Sequence, residues 1–199
     1  MTTGPSNPKA KSLRYGELDR DIIVAAAVRV AEAGGIRSVT VRALAKELGL
    51  STTAMYHHVD DKAQLLNLVA EATLATVELP CTGTWQERVR VFARSARRAM
   101  LGIDGIAEVL QTHPAKGAAQ QVDSLMQQLV VDAGVPPTRR ESARILLMIF
   151  VMGSVTFEQA VEGLPHPLTV TPDTRFEQGL DVLIAGLETL SRRNPEPPS

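Results

Sequence analysis

The sequence predicts an all-α fold, and three observations carry that prediction. The composition is 44% hydrophobic but only 4% aromatic, so Ala, Leu, Val and Met must build the core. Gly and Pro fall at intervals that punctuate long helical runs. Residues 41–48 place Val41, Leu44, Ala45 and Leu48 at i, i+3, i+4 and i+7, one face of a helix. The expected architecture is an N-terminal three-helix head with a helix-turn-helix, a connecting helix, and a larger C-terminal helical domain.

The elements follow in order. Residues 1–18 read as a disordered arm carrying Lys9, Lys11 and Arg14. Such an arm can follow a DNA backbone, and an ordinary solvated terminus is the alternative. Asp19 is an N-cap for a helix to Ala33, with Ile23, Ala27, Val30 and Ala31 inward. Gly34-Gly35 ends it. Val41–Leu48 follows and stops at Gly49, which takes a left-handed conformation without steric cost. Ser51 caps the next helix. That helix is expected to carry Thr52, Thr53, Tyr56, His57 and His58 on its polar side, with Ala54, Met55 and Val59 packed inward. A helix, a glycine turn and a second helix crowded with hydroxyls and imidazoles point to a DNA reader. Asp60 is read as the cap of a fourth helix, Asp61 to about Leu79.

A second module begins at Thr84. Trp85 to Leu101 is a helix with Val89, Phe92, Ala96 and Met100 on one face. Its five arginines read better as a solvated face paired to acidic neighbours than as a nucleic-acid patch, because no aromatics interleave. A short helix, Ile106–Thr112, and a longer one, Ala115–Ala133, come next. Thr138 to about Glu162 holds eight consecutive apolar residues from Ile145 to Met152, and a helix apolar around most of its circumference must be covered on several sides. The last helix, Asp173–Ser191, has a broad apolar face. These two helices, 138–162 and 173–191, are expected to pair with their copies in a homodimer. Residues 194–199 read as a disordered tail. The domains expected are therefore 19–62 for DNA binding and 63–193, connecting helix included, for ligand binding and dimerisation.

Charge and cysteine usage narrow the function. The net charge is −1, which argues against a generic nucleic-acid coat. Residues 9–62 hold nine Lys/Arg against seven Asp/Glu, so the N-terminal third is the mildly basic part. No run of about 18 apolar residues is present, so no membrane span is expected. The N-terminus lacks a signal-peptide pattern, and the single Cys81 suits a reducing cytoplasm. No H-E-x-x-H, phosphate loop or G-x-S-x-G occurs, so no catalytic residue is expected. Adjacent His57 and His58 do not share a helical face and make a poor metal site.

The stretch T-V-R-A-L-A-K-E-L-G-L-S-T-T-A-M-Y-H-H-V-D-D-K-A-Q-L-L resembles the tetracycline-repressor (TetR) family of bacterial transcription regulators. The resemblance implies a ligand-responsive homodimeric repressor on double-stranded palindromic operator DNA. It implies DNA contacts from Thr40, Arg42, Ser51, Thr52, Thr53, Tyr56, His57 and His58, and from Lys62 to phosphate. The second domain resembles the tetracycline-binding branch, through W-Q-E-R-V, Asp104-Gly105 with Pro114 ten positions after the Asp, and G-S-V-T-F-E at Gly153–Glu158. Where that branch has a metal-binding histidine, this chain has Val109. No metal and no cofactor are therefore expected, and the effector should be a small, flat, mostly apolar molecule. The pocket is expected from Phe92, Ala96, Met100, Val109, Leu110, Leu125, Met148 and Met152, with Thr112, His113 and Glu158 as orienting polar groups. The alternatives are a helical ligand-binding dimer or an enzyme without a DNA-binding role.

Overall fold

The computed structural model describes residues 19–112, 116–161 and 168–192. Residues 1–18, 194–199 and His113 lie outside that set, so the arm, the tail and one pocket residue of the sequence reading are not described. Among the described residues the chain is helical without strands: α1 (Arg20–Gly34), α2 (Val41–Leu48), α3 (Thr52–Tyr56), α4 (Lys62–Ala75), α5 (Trp85–Leu101), α6 (Ile106–Thr112), α7 (Ala118–Asp132), α8 (Arg140–Val161) and α9 (Pro172–Arg192). The all-α prediction holds.

In the head, Asp19 Oδ1 accepts the Ile22 N–H at 2.8 Å and starts α1. Ile23, Ala26, Ala27 and Ala31 are its buried face. A 3₁₀ turn, Ile36–Ser38, leads to α2, which Thr40 caps by accepting the Ala43 N–H at 3.1 Å. Gly49, at φ +68, ends α2. Leu44, Met55, Val59 and Leu65 are fully buried where α1, α2, α3 and the start of α4 meet. Each such side chain contributes roughly 1.5–3 kcal/mol of burial free energy.

Two head boundaries differ from the sequence reading. The helix after Ser51 stops at Tyr56, so His57 and His58 sit in the turn that follows it and not on the helix. Their N–H groups bond back to Ala54 and Met55, and this tight exit is what turns Val59 into the core. Asp61, not Asp60, caps α4: its Oδ1 accepts the Gln64 N–H at 2.8 Å, and Gln64 Oε1 in turn accepts the Asp60 N–H at 2.7 Å.

Helix α4 packs on α1 at one end and on α6 and α7 at the other. One apolar cluster therefore runs without a break from Ile23 to Ile184. The helix ends at Ala75, short of the expected Leu79. Thr76 Oγ1 donates to the Thr73 carbonyl, Val77 turns inward, and the Glu78 N–H finds Ser95 Oγ at 2.8 Å. Pro80 also disfavours a helical residue before it.

In the second domain, Thr84 and Glu87 form a capping box at the start of α5. Helix α7 begins at Ala118, later than expected, because Gly117 has φ +67 and ψ −90 and cannot extend it. A 3₁₀ turn over Pro137–Arg139 precedes α8. Thr171 caps α9, with Pro172 in the first turn where its missing N–H costs nothing. Helix α8 buries Ala143, Leu147, Val151 and Val155 and leaves Leu146, Ile149 and Phe157 outside.

Candidate nucleic-acid interface and ligand cavity

The head carries a groove of about 400 Å³ lined by Thr40, Val41, Arg42, Thr52, Tyr56, Asp60, Asp61 and Lys62. It forms because the Thr40 cap starts α2 beside the exposed face of α3, and the Asp61 cap places Lys62 at the first turn of α4. Arg42 and Lys62 are exposed and have no ion-pair partner among the described residues. Tyr56 is 57% exposed, a large aromatic held out of the core with its hydroxyl in solvent.

The other residues read from the sequence as DNA contacts sort by position. Thr53, His57 and His58 are exposed beside the groove but do not line it. Ser51 accepts the Ala54 N–H at 3.1 Å, and Thr40 is likewise a cap. These two hydroxyls cap α3 and α2, and a hydroxyl that accepts a cap bond can still donate its own hydrogen. Sequence reasoning assigned Asp60 only to capping and Asp61 only to the first position of the fourth helix. Their place immediately before Lys62 was the signal that two carboxylates border the cationic groove.

The second domain encloses a cavity of about 250 Å³. Helix α5 supplies Phe92, Ala96 and Met100, α6 supplies Leu110, and α8 supplies Met148, Val151 and Met152. The opposite wall comes from Leu74 of α4, the following Val77, and Ala119, Val122, Asp123 and Met126 of α7. Asp123 is the one carboxylate in that lining. Its Oδ1 pairs with Arg144 and its Oδ2 accepts from Gln127 Nε2 at 2.7 Å, so its charge is already matched. The cavity thus offers a methionine-rich apolar surface, adaptable in shape, just below the usual size range of about 300–1,000 Å³ for drug-like ligands.

Of the pocket residues read from the sequence, Phe92, Ala96, Met100, Leu110, Met148 and Met152 meet at this cavity. Val109 and Leu125 are buried in the core and do not line it. Thr112 is exposed at the end of α6, its hydroxyl donating to the Glu108 carbonyl at 3.1 Å. Glu158 faces a different cleft between α8 and α9, where it is bound by Arg97 at 2.8 Å. The sequence reading brought α7 to the pocket through Leu125, but Ala119, Val122, Asp123 and Met126 face it instead, and the α4 wall was missed, because nothing in either helix's own periodicity says which side faces the shared space. Among the described residues no group of three His, Cys, Asp or Glu could hold a metal.

The ion pairs of α5 lie apart from both sites. Arg97 bridges Glu158 and Asp173 and stacks 4.9 Å from the Phe176 ring centroid. Arg94 grips Glu177 through both carboxylate oxygens at 2.7 Å, which holds the Glu177 carboxyl below its ordinary range.

Residues 23–69 match the family model for bacterial regulatory proteins of the tetR family, and residues 79–169 match that for the tetracyclin repressor-like C-terminal domain. The class A tetracycline repressor from transposon 1721 of Escherichia coli is 31% identical, over 92% of this chain and 97% of that protein. ActR of Streptomyces coelicolor in complex with actinorhodin superposes with a TM-score of 0.75 at 26% identity, over 87% of this chain and 96% of that one. BioQ with its natural double-stranded DNA operator superposes with a TM-score of 0.72 at 27% identity, over 86% of this chain and 99% of that one. With an exposed cationic groove in the head and a cavity behind it, the chain belongs to the TetR family of bacterial regulatory proteins and is a helix-turn-helix transcription regulator, not an enzyme.

Proposed function

We propose that the protein is a homodimeric repressor, held on a palindromic operator and released by a small, mostly apolar effector. The observation that carries this reading is that one helix borders both sites. Lys62 in the first turn of α4 lines the groove, and Leu74 near its last turn lines the cavity. About 18 Å of rigid helix separates them. A molecule that wedges against Leu74 and Val77 tilts the lever that carries Lys62. Arg42 would read base edges, Thr52 and Thr53 would touch thymine methyls, and Tyr56 and Lys62 would contact phosphate. Residues 19–62 are assigned to DNA binding, and 63–193 to effector binding and dimerisation.

The homodimer rests on the outer faces of α8 and α9. Leu146 is 51%, Ile149 56% and Val182 74% exposed. A Cβ added at Gly153 or Gly186 would meet nothing within 4 Å, so nothing in the protomer itself requires glycine there. Residues 137–161 contain an 18-residue window with a mean hydropathy of 1.5, long and apolar enough to cross a membrane. Their inner stripe is packed in the protein, however, and Glu158 is ion-paired, which suits a second copy's helices better than lipid. Two heads carried on such a dimer would meet successive major grooves about 34–36 Å apart. A cytoplasmic location follows from access to DNA.

Selection of a bound duplex from a random pool tests the reading. A palindrome should emerge, and sedimentation should give a dimer on one operator. The double variant Arg42→Ala with Tyr56→Ala should lose the operator while still dimerising. Unchanged affinity in that variant would favour a ligand-binding dimer without a DNA role. Failure of any apolar ligand to weaken operator binding would remove the inducible part.

A further inference from the structure

The connecting helix carries one carboxylate, with a buried oxygen, that neither the groove nor the cavity uses. Glu71 of α4 accepts the backbone N–H of Ala118, the first residue of α7, at 2.6 Å through Oε1. Its Oε2 is buried and has no hydrogen-bond partner among the described residues. Gly117 stands directly against this carboxylate, since a Cβ there would lie 2.6 Å from Oε1. The position before α7 thus has no side chain to cap its own helix, and the cap comes from α4 instead.

Orphan N–H groups at a helix start attract a carboxylate. A local Ser or Asn would satisfy them without joining two helices. The arrangement here ties the connecting helix to α7 next to the cavity, because Leu74 lies one turn beyond Glu71 and Ala119 directly follows Ala118. It is also only half satisfied. A carboxylate oxygen buried without a partner is costly, and opening the contact would return it to water while the helix start loses its cap. Loss and gain oppose each other, which leaves the contact easy to open or close.

We propose that Glu71 is a positioning residue whose bond to Ala118 latches α4 to α7 in the ligand-free, operator-binding arrangement, and that a molecule filling the cavity acts by opening this latch. The proposal rests on the effector-released reading above. The effector pushes α4 and α7 apart at Leu74 and Ala119, and the latch lies within one turn of both.

The test uses the full chain, an operator chosen from a random duplex pool, and Nile red as a flat, neutral, apolar probe of the cavity. Glu71→Ala removes the latch, Glu71→Gln keeps an acceptor for Ala118 N–H, and Gly117→Ala presses on the latch from the other side. In the wild type, saturating dye should weaken operator binding about tenfold or more. In Glu71→Ala and Gly117→Ala, dye-free operator affinity should fall by about the same factor, and dye should change it by less than about twofold. Dye affinity should hold or tighten, by reciprocity, and Glu71→Gln should retain most of the wild-type response. Circular dichroism establishes folding, and if Glu71→Ala does not fold, Gly117→Ala decides by the same ratio. A folded latch variant with the wild-type ratio overturns the latch and leaves the effector reading intact. A wild type whose operator affinity ignores bound dye overturns both.

Discussion

In the groove of the head, Arg42 and Lys62 face solvent without an ion-pair partner among the described residues, whereas on α5 four of five arginines meet a carboxylate: Arg88 with Asp132, Arg90 with Asp181, Arg94 with Glu177, and Arg97 with both Glu158 and Asp173. The same residue type serves two ends. On α5 the fixed guanidinium fork joins α7, α8 and α9 to one helix, so its charge is consumed inside the protein. In the head the charge is left available, and only backbone capping by Thr40 and Asp61 holds it in place. Arginine count therefore says little about DNA binding. What matters is whether a carboxylate from another element reaches the guanidinium.

The largest expected effect lies on the consumed side. Arg97 is 14% exposed and Glu158 20%. Arg97→Ala strips Glu158 of its partner, frees Asp173 and uncovers Phe176. A fully buried pair broken on one side costs about 3–5 kcal/mol, and partial exposure brings the expectation to about 2–4 kcal/mol. Urea unfolding at fixed protein concentration measures it, and a shift under about 1 kcal/mol would show that water already screens this pair.

The counterpart in the head is Arg42→Ala. Operator affinity should fall by about 1–3 kcal/mol, and urea stability should stay within about 0.5 kcal/mol of wild type. Equal losses in both measurements would erase the distinction between free and consumed arginines.

How far the sequence reveals this contrast depends on the range of each interaction. Capping and helix periodicity act over three or four residues, and so Asp19, Ser51, Gly49, Thr84 and the apolar stripe of α5 are legible from the chain alone. So is the pairing of the α5 arginines as a class, from the absence of aromatics among them. Which carboxylate each arginine takes is not legible, because Glu177 and Asp181 come from a helix more than eighty residues away. The cavity was half legible for the same reason: α5, α6 and α8 announce apolar faces, but Val122 and Met126 of α7 and Val77 after α4 join them only through packing. The one-residue error at Asp60 has a local cause. Two adjacent aspartates compete for one cap, and Gln64 decides it: its Oε1 accepts the Asp60 backbone N–H while its own N–H donates to Asp61 Oδ1.

Those aspartates give a smaller prediction within the groove. Asp60 borders the same space as Arg42 and Lys62, so its carboxylate opposes a phosphate brought to them. Asp60→Asn removes the charge and leaves its backbone bond to Gln64 intact. With a slope of about 0.9 per neutralised phosphate, one charge is worth roughly fivefold in affinity near 0.15 M salt. Affinity for a generic duplex should rise by about that factor and its salt slope should steepen by about one. An unchanged slope would mean that Asp60 lies outside the phosphate path.

The smallest effect sharpens the consumed side by pH. Arg94's hydrogen bond, followed by its charge and that of Arg90, lowers the Glu177 carboxyl, against partial burial and Asp181, which raise it. A carboxyl depressed in the folded state contributes stability that is fully present above its unfolded pKa. That contribution is lost as pH falls through the lower, folded value. Glu177→Gln should therefore be less stable than wild type at neutral pH, and the difference should close in strong acid, where wild-type Glu177 is itself uncharged. Arg94 and Glu177 are 48% and 38% exposed, so solvent screening keeps the neutral-pH difference below about 1 kcal/mol, and added salt should shrink it further. The same acid series on Arg42→Ala supplies the contrast. With no carboxylate ion-paired to Arg42 among the described residues, its small stability change should stay flat across that range, and a pH-dependent change would show that Asp60 or Asp61, which border the same groove, couples to it.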